Sequence, residues 1–135
     1  RQNALFENAM SINLQALFIE LSRQYRHTLS QQNIRVTEML SYISAHMSDI
    51  TLPKMAEHFG YSQRNMIRLI REATSHTFRE LVTDFRMNTA RKILRASQTP
   101  IEEISLSLGY RDRSYFDKTF LKKYGITPAA YRRQI

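Results

Sequence analysis

Two stretches of this chain carry hydrogen-bonding side chains at spacings that would gather them on one side of a helix. The first comprises Gln63, Arg64, Asn65, Ile67, Arg68 and Arg71; the second comprises Arg113, Ser114, Tyr115, Asp117, Lys118 and Lys122. Between them, Met66, Leu69, Ile70 and Ala73 in one stretch, and Phe116, Thr119, Phe120 and Tyr124 in the other, fall on the opposite side. Groups of this kind recognise and bind; they do not make bonds. Arginine and lysine offer donors and positive charge to a polyanion, and the polar and apolar side chains beside them can add selectivity.

Other chemistries find little support. The chain has no Cys, which removes disulfides, thiolate metal sites and thiol nucleophiles. His27, His46, His58 and His76 are scattered without ligand spacing, so neither a metal site nor a cofactor is expected, and no residue is assigned a catalytic role. No apolar run approaches the roughly eighteen residues that would span a bilayer, and no signal peptide is visible. We expect no enzyme and no membrane partner.

Charge supports the recognition chemistry. Twenty Lys and Arg against twelve Asp and Glu give a net charge of +8 over 135 residues. From residue 36 onward the surplus is six, sixteen basic residues less ten acidic. Such an excess attracts nucleic acid or an anionic membrane surface. With 42% hydrophobic residues the chain can build a core, and only three Gly and three Pro favour helices over a turn-rich β architecture. The first residue is Arg rather than Met, and we expect the chain to be a piece of a longer protein.

The elements that would hold the two sets in place form a duplicated pattern. Residues from about Arg35 to Met47 carry Met39, Leu40, Ile43 and Met47 at helical period. Thr51 then reads as a helix cap with Pro53 in the first turn, Leu52, Met55, Ala56 and Phe59 face inward, and Gly60-Tyr61 turns a corner into a helix capped by Ser62. Farther on, Thr99-Pro100 repeats the start, with Ile101, Ile104, Ser105 and Leu108 inward. Gly109-Tyr110 makes the second corner, and Asp112 caps the next helix, which ends at Gly125. Ala56 matches Ser105, a small residue where two helices would cross closely. Between the copies, a helix from about Thr77 to Ala96 has Phe78, Leu81, Val82, Phe85, Ala90, Ile93 and Leu94 as its apolar set, with Arg79, Arg86, Arg91, Lys92 and Arg95 read as a solvated face. Thr127-Pro128 starts a last short helix. A short helix, a Gly-aromatic corner and a second helix with basic residues outward is how a helix-turn-helix unit looks in sequence. The fold class expected is all-α: two helix-turn-helix subdomains joined by a long linker helix, about seven helices, with an N-terminal amphipathic helix before them.

On these residues the chain from 36 to 135 resembles the DNA-binding domain of AraC/XylS-type bacterial transcription regulators. The most specific stretch runs from Ile104 to Arg132, with its Gly109-Tyr110, Ser114-Tyr115-Phe116, Phe120-Leu121-Lys122-Lys123-Tyr124-Gly125 and Thr127-Pro128-Ala129-Ala130-Tyr131-Arg132 elements. The resemblance implies a first helix-turn-helix over 36–76, a linker helix over 77–96 and a second helix-turn-helix over 97–135. It implies a sequence-specific regulator of transcription, usually an activator, reading two successive major-groove segments. Carried onto this sequence, its base readers are Gln63, Arg64 and Arg68 in the first unit and Arg113, Ser114, Asp117 and Lys118 in the second. Arg matches guanine O6 and N7, Gln matches adenine, and Ile67 could meet a thymine methyl. The helix starts at Thr51 and Thr99 would offer amides to phosphates. Two departures from the family pattern stand out: Ser75, where Gly is commoner, and Ile67, an apolar residue among polar readers.

Residues 1–30 hold an amphipathic stripe of Leu14, Leu17, Phe18, Leu21 and Tyr25, and Ser30-Gln31-Gln32-Asn33 reads as a polar linker. The stretch 1–30 is expected to be the tail of an upstream sensing or dimerisation domain, or a linker helix. Partners implied are double-stranded DNA, RNA polymerase and a second copy through residues 1–30 or the upstream domain, in the cytoplasm at the nucleoid. Three alternatives remain in view: an enzyme carrying this domain as an appendage, a phosphorylation-controlled response regulator with this output domain, and a basic protein of membrane surfaces.

Overall fold

A computed structural model of the chain describes residues 30–134, and these form seven helices and no strand. They are α1 (Ser30–His46), α2 (Leu52–Phe59), α3 (Gln63–Thr74), α4 (Phe78–Ala96), α5 (Ile101–Ser107), α6 (Arg113–Tyr124) and α7 (Pro128–Arg133). The all-α expectation is met. The stripe from Leu14 to Tyr25 lies outside the described residues. The polar stretch Ser30–Asn33, expected to be a linker, is instead the start of α1. Polarity alone does not break a helix: Gln is a good helix former, and the stretch has neither Gly nor Pro to end one.

The expected caps explain most helix starts. Thr51 sits in extended backbone and its hydroxyl accepts from the Lys54 amide at 3.3 Å, with Pro53 in the first turn where a missing amide is harmless. Ser62 does the same for the amide of Asn65 (3.1 Å), Asp112 for that of Ser114 (2.9 Å) and Thr127 for that of Ala130 (3.2 Å). Thr77 caps α4 by accepting from the Glu80 amide at 3.1 Å.

Thr99 is the exception. Helix α5 begins a residue later than expected, with Pro100 at the cap position and no side-chain cap. The Thr99 hydroxyl instead accepts from Ser97 (2.9 Å), and its carbonyl accepts from Arg132 Nη1 (2.6 Å).

The described residues divide into two compact units. The first holds α1 to Ala45, then Thr51–Leu81; the second holds His46–Ile50 and Val82 onward. In the first, Met39, Leu40, Ile43, Met55, Ala56, Met66, Ile70, Ala73 and Leu81 are buried. In the second, Met87, Ala90, Leu94, Ile104, Leu108, Tyr110, Phe116 and Phe120 form one cluster, with Met47, Ile93, Ile101, Tyr124 and Tyr131 against it. Met87, fully buried, escaped the sequence reading. The two matched small residues, Ala56 and Ser105, are 2% and 1% exposed, as a close helix crossing requires.

Two arginines of α4 do not form the solvated face expected of them. Arg91 is 5% exposed, lies over the Tyr124 ring and donates to Asn88 Oδ1. Arg86 donates from Nε to the Met47 carbonyl at 2.6 Å and lies over the Tyr110 ring. Their alkyl stems pack while the guanidinium finds carbonyl and aromatic partners, a use of arginine that helical periodicity cannot separate from solvation. The same turn fixes Gly109: at φ +95, a Cβ there would stand 2.2 Å from the Ser48 carbonyl oxygen. Arg132 closes the second unit from α7, donating from Nε to the Leu94 carbonyl (3.3 Å) as well as to Thr99.

Candidate nucleic-acid interface

Helices α3 and α6 are both twelve residues long and align in register when Met66 is set on Phe116, each residue of α3 matching the one fifty positions later. Each is held by the same device: buried residues one turn apart, Met66 and Ile70 in one, Phe116 and Phe120 in the other, pack inward. Between them Ile67 and Arg68 in one helix and Lys118 in the other are exposed.

On α3, Gln63, Arg64, Ile67, Arg68 and Arg71 are exposed as expected, and Asn65 is half-buried. Ile67 is 47% exposed, unusual for a large aliphatic side chain. Arg68 is not a loose cation. Its Nη1 lies 3.0 Å from both carboxylate oxygens of Glu72, and its Nη2 donates to Asn65 Oδ1 at 2.6 Å. Glu72 was missed in the sequence, although its place four residues after Arg68 was the available signal. Helix α3 ends at Ser75, whose φ of 61 puts a residue with a Cβ in the left-handed region and whose amide donates to the Arg71 carbonyl.

On α6, Arg113, Ser114, Tyr115, Lys118 and Lys122 are exposed and Asp117 is half-buried. Arg113 faces Asp117 at 3.6 Å, so the carboxylate, expected to be a base reader, is paired with an arginine one turn away. The Tyr115 ring lies against Tyr110 at 5.9 Å between centroids. Two exposed residues near this face went unassigned in the sequence: Leu121, 44% exposed, and Arg111. Lys123, by contrast, is bonded to Asp84 of α4. Register exposes a difference between the units, since Arg71 and Glu72 of α3 stand where α6 has Leu121 and Lys122.

The helix starts differ too. At α2, Pro53 has no amide, the Lys54 amide is taken by Thr51, and no acidic residue stands in the first turn. At α5, where Thr99 was expected to start a helix offering amides to phosphate, Thr99 is turned to other partners and Glu102 and Glu103 occupy the first turn, a less favourable setting for an anion. Tyr124, the last residue of α6, has its phenol pushed up to about 12, first by burial and against the lowering effect of Arg91. Among the described residues no helix is long and apolar enough to cross a membrane.

The geometry is that of known regulators. Residues 55–134 match the model of a helix-turn-helix domain family. Over 102 residues the chain is 36% identical to regulatory protein PocR of Salmonella typhimurium, covering 75% of this chain but 34% of that protein. It is 27% identical over 108 residues to regulatory protein SoxS of Escherichia coli, covering 79% of this chain and 100% of SoxS. The chain thus spans about a third of the first relative and the whole of the second. Among solved structures it is similar to the C-terminal domain of AraT, a response regulator from Geobacillus stearothermophilus, with a TM-score of 0.70 and 34% identity, covering 74% of this chain and 84% of that one.

Proposed function

This chain belongs to the AraC/XylS family of helix-turn-helix transcription regulators, and from that premise we propose that it reads two segments of promoter DNA through α3 and α6. The observation that carries the reading is the register of those helices, two exposed polar faces of equal length seated by equivalent buried pairs. On α3, Gln63, Arg64 and Arg68 read base edges, Ile67 meets a thymine methyl, and Asn65 and Arg71 complete the face. On α6, Arg113, Ser114 and Lys118 read, Asp117 orients Arg113, and Tyr115 and Lys122 contact the backbone. Arginine and glutamine suit guanine and adenine, and cations at the margin neutralise phosphates. The start of α2 at Thr51 adds one phosphate contact.

The output is activation through contact with RNA polymerase, at the nucleoid in the cytoplasm. Self-association belongs to residues 1–30 or a domain upstream of them. The function is binding rather than catalysis.

Selection of sites from random duplexes with this chain tests the reading. The expected product is a bipartite site with two conserved segments about one DNA turn, roughly 34 Å, apart. Arg68→Ala and Lys118→Ala should each erase protection over one segment, at a cost of about 1–3 kcal/mol if they touch bases. Enrichment of no sequence, or equal binding to anionic vesicles, would sink the reading in favour of a general polyanion binder.

A further inference from the structure

Glu72 stands exposed on α3, at a place where the helix dipole and the order of its pair with Arg68 both give a carboxylate little advantage. Helix α3 ends two residues later at Thr74, so Glu72 lies in the last turn, where the helix dipole disfavours negative charge. Arginine ahead of glutamate is the weaker order for a pair four residues apart. With the two side chains 57% and 60% exposed, the pair contributes little to stability. On a face turned to a polyanion the charge is also unfavourable, and α6 has Lys122 at the same register.

What Glu72 does is hold a guanidinium. Nη1 of Arg68 lies 3.0 Å from both of its oxygens, while Asn65 Oδ1 accepts from Nη2 at 2.6 Å. An exposed arginine otherwise samples many rotamers and is satisfied by any phosphate within reach. Gripped from two sides, the planar fork keeps Nε and a second Nη2 hydrogen aimed in one direction, and its net charge is offset. Phosphates along the backbone then gain little from it. A pair of acceptors at the right place, such as O6 and N7 of guanine, can add bonds without Glu72 letting go.

We propose that Glu72 is a specificity-determining positioning residue: with Asn65 it fixes Arg68 to discriminate a base pair and withholds it from phosphates. This rests on the reading of α3 as a recognition helix. The test uses the full 135-residue chain and a duplex obtained by site selection with it. Dissociation constants are measured for that duplex, for each single base-pair substitution and for an unrelated duplex, with Arg68→Ala, Glu72→Gln, Glu72→Asp and the Arg68→Ala/Glu72→Gln pair.

Glu72→Gln should tighten binding to the unrelated duplex about three- to tenfold, as loss of one repelling charge requires. It should flatten discrimination at the base pair that Arg68→Ala also flattens, by fivefold or more, leave other positions unchanged, and do nothing further in the Arg68→Ala background. Glu72→Asp keeps the charge but withdraws the carboxylate by one methylene; it should lose discrimination at that pair with non-specific affinity unchanged. If both Glu72 variants discriminate like wild type at the pair read by Arg68, the proposal is wrong while the recognition-helix reading stands. If Arg68→Ala itself leaves every position discriminated as in wild type, the recognition role of α3 fails and this proposal with it.

Discussion

Ser75 and Tyr124 show how single residues carry local costs that packing around them maintains. Ser75 ends α3 at φ 61, a conformation that brings Cβ toward the carbonyl oxygen and that Gly adopts freely. Ser75→Gly should therefore stabilise the chain by about 1 kcal/mol in urea or thermal unfolding. The sequence already marked this position, because the matching residue of the second unit is Gly125, at φ 79. Tyr124 was legible only as an inward residue. Its hydroxyl has no hydrogen-bond partner, and burial raises the phenol from 10.0 to about 12 despite Arg91 nearby. The folded chain thus holds that proton to higher pH than the unfolded chain does. Its stabilising effect is whole below pH 10 and is lost as pH rises from about 10 towards 12. Tyr124→Phe should leave stability at pH 7 unchanged or slightly raised, and should make the fall between those pH values shallower in denaturant titrations. An equally steep fall in the variant would place the alkaline transition elsewhere.

At the scale of elements, the starts of α2, α3, α6 and α7 were legible because capping is local: Thr51, Ser62, Asp112 and Thr127 each bond an amide two or three residues on. The start of α5 was not. Thr99-Pro100 resembles the other starts, yet the carbonyl of Thr99 is claimed by Arg132, thirty-three residues later, and its hydroxyl accepts from Ser97. A long-range partner overrode a local motif. Arg132 also takes the Leu94 carbonyl in the last turn of α4, so one guanidinium ties α7 both to the end of α4 and to the connection that follows it. Arg132→Ala should destabilise by about 2–3 kcal/mol, since charged hydrogen bonds to part-buried carbonyls are lost together. Arg132→Lys should recover only part, because a point donor cannot reproduce the fork. Urea unfolding of both variants measures this; equal stability of Arg132→Ala and wild type would show that the tie is incidental.

For the molecule as a whole, the surplus of positive charge sets how binding responds to salt. If the three marginal cations Arg71, Arg111 and Lys122 each neutralise one phosphate, the logarithm of affinity should fall with that of salt at a slope of about −2.7, or roughly 40-fold for a fourfold rise in salt. Titration of a labelled duplex at several salt concentrations reads the slope, and a slope near zero would exclude phosphate contact as a main source of affinity. The sequence by itself determined the helical class, the duplication and the outward residues of α3 and α6 apart from the half-buried Asn65 and Asp117, because periodicity, caps and glycine corners act within a few residues. The tertiary structure alone decided which arginines stay exposed and which are struts. Arg86 and Arg91 are spaced like solvated residues but pack on Tyr110 and Tyr124, and Arg132 grips distant carbonyls. Glycine at 109 is demanded by the backbone of Ser48, sixty-one residues earlier. A guanidinium's role depends on which acceptor reaches it, and acceptors brought close by folding leave no mark in the spacing of the chain.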